Sequence, residues 1–161
     1  MSFDLLRYDR QIRIPDFGEE AQAKLRRAKA VVFGVGGLGC VSSTYLAAAG
    51  VGKLVLVDSG YVELSNLNRQ FLYTLDDLGK PKALAAEKRV AEVNPEVAVE
   101  GVQTKLVPDE VDRLVKDASV VVDGLDTYEA RHVVNRFCVS NRVAFVHGAV
   151  EGFRGQVTSI V

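Results

Sequence analysis

Gly34-Val35-Gly36-Gly37-Leu38-Gly39 follows directly on the apolar run Ala30-Val31-Val32-Phe33 and opens a stretch of helical character over residues 38–49. A buried strand that passes through a glycine loop into a helix constrains the chain to a βα unit of a mostly parallel sheet. Glycines allow the tight turn and let phosphate oxygens approach the backbone, while the free N–H groups at the helix start favour an anion. Asp58 ends the second apolar run, 19 residues past Gly39, near the spacing at which an acid holds a ribose hydroxyl. Gly34, Gly36, Gly37, Gly39 and Asp58 are therefore candidate nucleotide contacts, against the alternative that the glycines serve only close helix–strand packing. The loop alone does not choose between NAD and ATP.

Apolar runs and amphipathic stretches alternate along the rest of the chain, which predicts an α/β class: a Rossmann-like, mostly parallel sheet flanked by helices. Strands are expected over 30–34, 53–58, 97–102, 119–123 and 143–150, with one more beginning at 156–161. Helices are expected over 19–27, 38–49, 82–93 after Pro81, 109–116 and 128–140. Residues 1–28 read as an N-terminal arm and helical segment. The chain of 161 residues is expected to form one domain, 1–161, cut within a larger protein, because it stops on Thr-Ser-Ile-Val without a turn or cap.

Twenty basic residues against twenty-one acidic ones leave a formal charge of −1, so no global field favours nucleic acid or an anionic membrane. Any anion must be bound locally. Neither a signal peptide nor a membrane-length apolar run is visible, and Cys40 and Cys138 form no CxxC pair. A cytoplasmic setting without nucleic-acid or membrane partners is expected.

After Asp58 the polar stretch Val62-Glu63-Leu64-Ser65-Asn66-Leu67-Asn68-Arg69-Gln70 stands where a dehydrogenase continues into an ordinary helix. Arg69 can fork onto phosphate oxygens, Asn66 can orient them, and Lys82 can bring a second cation from a helix start. Two cations suit a departing pyrophosphate; solvated surface charge is the competing reading of both.

The sequence resembles the ThiF/MoeB/HesA family, relatives of the ubiquitin-activating enzymes. The match runs from Arg7-Tyr8-Asp9-Arg10-Gln11 and Phe17-Gly18 through the glycine loop, Tyr45-Leu46-Ala47, Gly50-Val51-Gly52 and Ser65-Asn66-Leu67-Asn68-Arg69-Gln70. It continues through Gly79-Lys80-Pro81-Lys82, Asn94-Pro95, Asp123-Gly124-Leu125-Asp126, Asn135, Cys138 and Gly155-Gln156. The resemblance implies adenylation of the C-terminal glycine of a ubiquitin-fold protein with a Gly-Gly tail, using ATP and Mg2+. It implies that Gly37 lies against the nucleotide, Asp58 holds the ribose, Asn66, Arg69 and Lys82 contact phosphates, and Asp126 serves magnesium and the reaction. It also implies a homodimer in which Arg10 reaches the partner's ATP site, a reach that suits a flexible arm. The alternatives are a non-catalytic half of an activating-enzyme pair, an NAD-dependent oxidoreductase, and dehydration of a modified tRNA nucleoside.

Two positions depart from the family pattern: Asp58-Ser59-Gly60 lacks the second acid of Asp-x-Asp, and Thr127 replaces a common asparagine. The zinc-binding CxxC pairs of full-length relatives are not in this chain. Cys40 and Cys138 read as packing residues, His132 as helix surface, and Arg26, Arg27 and Lys29 as a solvated helix end. His147 reads as structural or solvent-facing, because no partner acid is apparent.

Overall fold

A computed structural model describes residues 5–161; residues 1–4, the start of the expected arm, lie outside the described residues. Six strands form one sheet in the order β3-β2-β1-β4-β5-β6. They are β1 (Lys29–Phe33), β2 (Lys53–Val57), β3 (Ala98–Val102), β4 (Val120–Asp123), β5 (Ala144–Glu151) and β6 (Arg154–Ile160). The first five are parallel and in register, with Phe33 beside both Val57 and Asp123; β6 alone returns antiparallel to β5. The helices are α1 (Asp9–Ile12), α2 (Gly18–Arg27), α3 (Gly37–Ala48), α4 (Lys82–Val93), α5 (Pro108–Val115) and α6 (Tyr128–Asn141). None is long and apolar enough to cross a membrane among the described residues.

Strand periodicity divides the core between the two faces of the sheet. Ala30 and Val32 of β1 point to one face, where Cys40 and Ala47 of α3 and Ala86 and Val90 of α4 cover them. Val31 and Phe33 point to the other, against Val111 and Leu114 of α5 and Val134 and Cys138 of α6. Burial on both sides is why β1 and β2 read as continuous apolar runs rather than alternating ones. Pro108 opens α5 with Asp109 and Glu110 in its first turn, and α6 stops where Arg142 turns left-handed and Val143 N–H bonds back to Cys138 O at 2.9 Å.

Predicted elements and observed ones differ by one or two residues at their ends, but one region differs in kind. From Tyr8 onward the N-terminal segment is pinned rather than a flexible arm. Tyr8 is buried, its hydroxyl accepts from Asn94 Nδ2 at 2.8 Å and donates to Glu96 at 3.1 Å, while Gln11 and Gln22 both donate to Ala49 O at 2.9 and 3.0 Å. The last strand starts earlier, at Arg154, because Gly152 takes φ +56° and turns β5 back on itself. Lys29 also departs from the solvated reading: its Nζ caps the end of α5 through Leu114 O and Lys116 O at 3.2 and 3.0 Å.

Candidate functional site

From β1 the chain leaves to α3 on one face of the sheet, and from neighbouring β4 it leaves to α6 on the other, so a crevice opens above their C-terminal ends. This cleft has a volume of about 1410 Å³. Gly34, Gly36 and Gly37 form its middle, Asp58, Asn66, Arg69 and Lys82 one end, and Gly124 to Tyr128 with Arg154 to Gln156 the other.

The glycine loop is shaped by two backbone approaches that no side chain permits. Gly34 sits at φ +83°, and a Cβ on it would lie 2.7 Å from Gly124 O. A Cβ on Gly39 would fall 1.9 Å from Gly34 O. Gly39 thus belongs to the packing of α3 under the loop and does not line the cleft. Tyr73 closes the underside, donating to Val35 O at 2.7 Å, with the Cys40 thiol 3.6 Å from the same oxygen. Burial pushes the Cys40 thiol up to about 11 and raises the Tyr73 phenol as well. Burial likewise raises the Cys138 thiol to about 11, so both cysteines are packing residues, as read from sequence.

Asp58 follows β2 and is held by two main-chain donors, Val35 N–H at 2.8 Å to Oδ2 and Gly60 N–H at 2.7 Å to Oδ1. Each oxygen keeps a lone pair for a hydroxyl. Lys82 begins α4, its N–H bonded to Gly60 O at 2.9 Å, and its stem crosses Gly60 toward Asp58, with Cδ 3.7 Å from a Cβ placed there. The Arg69 stem lies over Gly37 at 3.8 Å by the same measure, and its Nη1 rests on Ser65 O and Asn68 Oδ1 at 3.1 and 3.0 Å. Asn66 is buried; its Oδ1 accepts Glu63 N–H at 3.0 Å, and its single amide nitrogen lies 3.4 Å from Ser65 Oγ. Both cations therefore stand at one end of the glycine loop, beside the single acid of the Asp58-Ser59-Gly60 turn.

Asp126 is exposed, on the loop between β4 and α6. That loop is laced on both sides: Leu125 N–H donates to Asp123 Oδ1 at 2.8 Å and Arg131 Nη2 donates to Leu125 O. Among the described residues, no three His, Cys, Asp or Glu side chains gather as a resident metal centre requires.

Of the residues expected at the site, Gly34, Gly36, Gly37, Asp58, Asn66, Arg69, Lys82 and Asp126 line the one cleft. Arg10 does not; it is exposed on α1. His147 has the partner acid that the sequence did not reveal, since its Nδ1 lies 2.6 Å from Asp123 Oδ2. The pair could be found only from the β4–β5 register, which sets Asp123 beside His147. Gln70, 4% exposed and in the cleft wall, carries an Oε1 that finds no bonding partner among the described residues. It closes the polar stretch that marked Arg69, which was the one local signal for it.

The sequence model of the ThiF family matches residues 8–161. The chain is 42% identical over 160 residues to Protein HesA, vegetative, of Trichormus variabilis, covering 99% of this chain and 60% of that protein. It is 44% identical over 154 residues to the sulfur carrier protein adenylyltransferase of Thermus thermophilus, covering 96% and 57%. Among solved structures it is similar to the tRNA N6-threonylcarbamoyladenosine dehydratase TcdA of E. coli, with a TM-score of 0.85 and 29% identity over 93% of this chain and 63% of that one. The chain thus spans less than two thirds of the length of the curated relatives it matches.

Proposed function

The chain belongs to the ThiF family, and from that premise we propose that it is an adenylyltransferase domain that activates the C-terminal carboxylate of a ubiquitin-fold protein with ATP, as a homodimer in the cytoplasm. The observation that carries this reading is the convergence of Asp58, Arg69, Lys82 and Asp126 around one glycine loop. A dehydrogenase has use for the loop and the acid; the two cations and Asp126 have use only with a polyphosphate. The names of relatives that adenylate sulfur carrier proteins point the same way.

In this reading Asp58 accepts the ribose hydroxyls while the N–H groups at the start of α3 receive phosphate oxygens. Arg69 and Lys82 neutralise the charge that grows on the departing pyrophosphate, and Asn66 and Gln70 complete the polar wall. The orphaned Gln70 Oε1 fits a ligand donor at this wall. Asp126 fits Mg2+, which binds through one or two carboxylates together with phosphate oxygens. When bound, the ion supplies charge neutralisation at the phosphates. A carboxylate oxygen attacks the α-phosphorus, the bond to the bridging oxygen of the β-phosphate breaks, and pyrophosphate leaves. The attacking carboxylate is already ionised at neutral pH, so the protein's task is alignment and charge stabilisation rather than proton transfer. Arg10 acts from the partner subunit: Tyr8 and Gln11 anchor α1 on its own subunit and leave the guanidinium outside its own cleft.

Thermal shift and isotope exchange test the reading. ATP with Mg2+ is expected to stabilise the protein more than NAD at equal concentration, and ATP–pyrophosphate exchange is expected to depend on a ubiquitin-fold protein ending in Gly-Gly. A larger shift with NAD refutes the nucleotide assignment. Mixing Arg10→Ala with Asp126→Ala is expected to restore part of the exchange through hybrid dimers; a dead mixture with demonstrated subunit exchange removes the role of Arg10 in trans.

A further inference from the structure

At the end of the cleft opposite Asp58, polar contacts run across three strands. Asp123 at the tip of β4 is buried, with Oδ1 on Leu125 N–H and Oδ2 2.6 Å from His147 Nδ1 of β5. Arg131 Nε of α6 stands 3.5 Å from the same Oδ2. On the other side of the imidazole ring, His147 Nε2 lies 3.1 Å from Nε2 of Gln156 on β6. Gln156 lines the cleft, whereas His147 stands behind that wall.

Donor and acceptor bookkeeping fixes what this chain presents. An ionised carboxylate only accepts, so the ring must donate from Nδ1. In the neutral ring Nε2 is then an acceptor, the amide of Gln156 donates to it, and Gln156 Oε1 is left over as an acceptor. No other protein group bonds to that amide among the described residues. We propose that His147 is a positioning residue that sets the Gln156 amide with its oxygen toward the cleft, and that this oxygen accepts a main-chain N–H of the peptide tail entering with its carboxylate.

This rests on the adenylation reading and goes beyond it by naming the residues that read the second substrate. Of the groups assigned to the nucleotide, Asp58, Asn66, Arg69 and Lys82 stand at the opposite end of the cleft, while Asp126 stands at the Gln156 end, where nucleotide and tail meet. The Gln156 end is walled by Ala149, Gly155 and Thr127 as well as Glu151, Arg154 and Tyr128. An acceptor oxygen repels a carboxylate, so it cannot face the reacting group; it fits a peptide N–H further along the tail. Main-chain recognition of this kind is indifferent to side chains and suits a tail of small residues. Were the amide reversed, its NH2 group would meet that N–H and weaken entry.

The test uses the full chain with ATP and a Gly-Gly-ending sulfur carrier protein of the ubiquitin fold. His147→Ala is expected to raise KM for the carrier protein about tenfold, the scale of one well-placed hydrogen bond, with KM for ATP unchanged. Gln156→Ala is expected to do the same, and the double variant is expected to be no worse than either single one, because His147 acts through Gln156. Long-range 15N NMR of the neutral wild-type imidazole is expected to show the tautomer with its proton on Nδ1 rather than on Nε2. A proton on Nε2, additive effects in the double variant, or an equal rise in both KM values overturns the proposal. The expected tautomer in a wild-type chain that lacks exchange overturns the adenylation reading and the tail contact with it, and supports the setting of the amide alone.

Discussion

On the β1–β3 side of the cleft, Asp58 is held by two main-chain N–H groups and the loop is shaped by glycine backbones in contact. On the β4–β6 side, the Asp126 loop is held by side chains, Asp123 and Arg131, and the wall ends in a hairpin whose strand β6 is exposed throughout. Main-chain scaffolding tolerates change of side chain but not of backbone shape; the side-chain scaffold is the reverse. The first suits a ligand that never varies, such as a nucleotide, and the second a wall adjusted to one acyl substrate.

The sharpest break of this comparison is chemical. Asp126→Ala is expected to lower ATP–pyrophosphate exchange by on the order of 10²–10³-fold, the size typical of removing one group that meets transition-state charge. Its Tm should stay near that of the wild type, because the side chain is exposed and the loop is held through Leu125 rather than Asp126. Retained exchange in a folded variant removes the role.

Next in size is a contrast in stability. Gly39→Ala puts a methyl 1.9 Å from Gly34 O, backbone against backbone, and is expected to cost about 3 kcal/mol or more. Gly152→Ala at the hairpin meets nothing within 4 Å and strains only its positive φ, for about 1 kcal/mol. Equal losses in denaturant titrations contradict the idea that one side is rigid backbone packing and the other is open.

Asp58→Asn probes the scaffold from the ligand's side. An amide offers one acceptor oxygen where the carboxylate offers two, so either Val35 N–H or Gly60 N–H loses its partner. A drop of about tenfold in ATP affinity is expected by calorimetry, on the scale of one charge-assisted bond, while the affinity for the carrier protein is unchanged. A matching loss for the carrier protein dissolves the division of the cleft.

The smallest effect is read by the two thiols, one in each face of the core. Both are pushed up to about 11 by burial, so neither reacts with a thiol reagent at pH 8 in the folded protein. Their stabilisation is full below the ordinary thiol value and is lost as pH rises from about 9 to about 11, because the unfolded chain releases protons that the folded chain keeps. In mild denaturant, earlier labelling of Cys138 than of Cys40 places the weaker packing on the α6 side; the opposite order reverses the comparison.

Much of the β1–β3 side was legible in sequence because its signals are local. The glycine loop touches the run before it and the helix after it, Asp58 ends the next strand, and Asn66 and Arg69 share one nine-residue stretch. The β4–β6 side was legible only as elements. Asp123 and His147 are 24 residues apart with α6 between them, and only strand order and register make them neighbours. The anchored N-terminal segment was missed for the same reason, since Tyr8 and Asn94 are 86 residues apart.

The contact of Gly34 with Gly124 sets a clock on biosynthesis. The loop leaves the ribosome early, directly behind β1, but the carbonyl it rests on lies past β4, and β1 itself gains that neighbour only when Lys29 meets Ser119, 90 residues downstream. A nascent chain ending before β4 can pair β1 with β2 and β2 with β3 and still lack the floor of its glycine loop. Contacts this distant along the chain form slowly, so ATP is expected to protect the emerging chain from protease only after residue 124 has cleared the exit tunnel, and to be without effect on every shorter nascent chain.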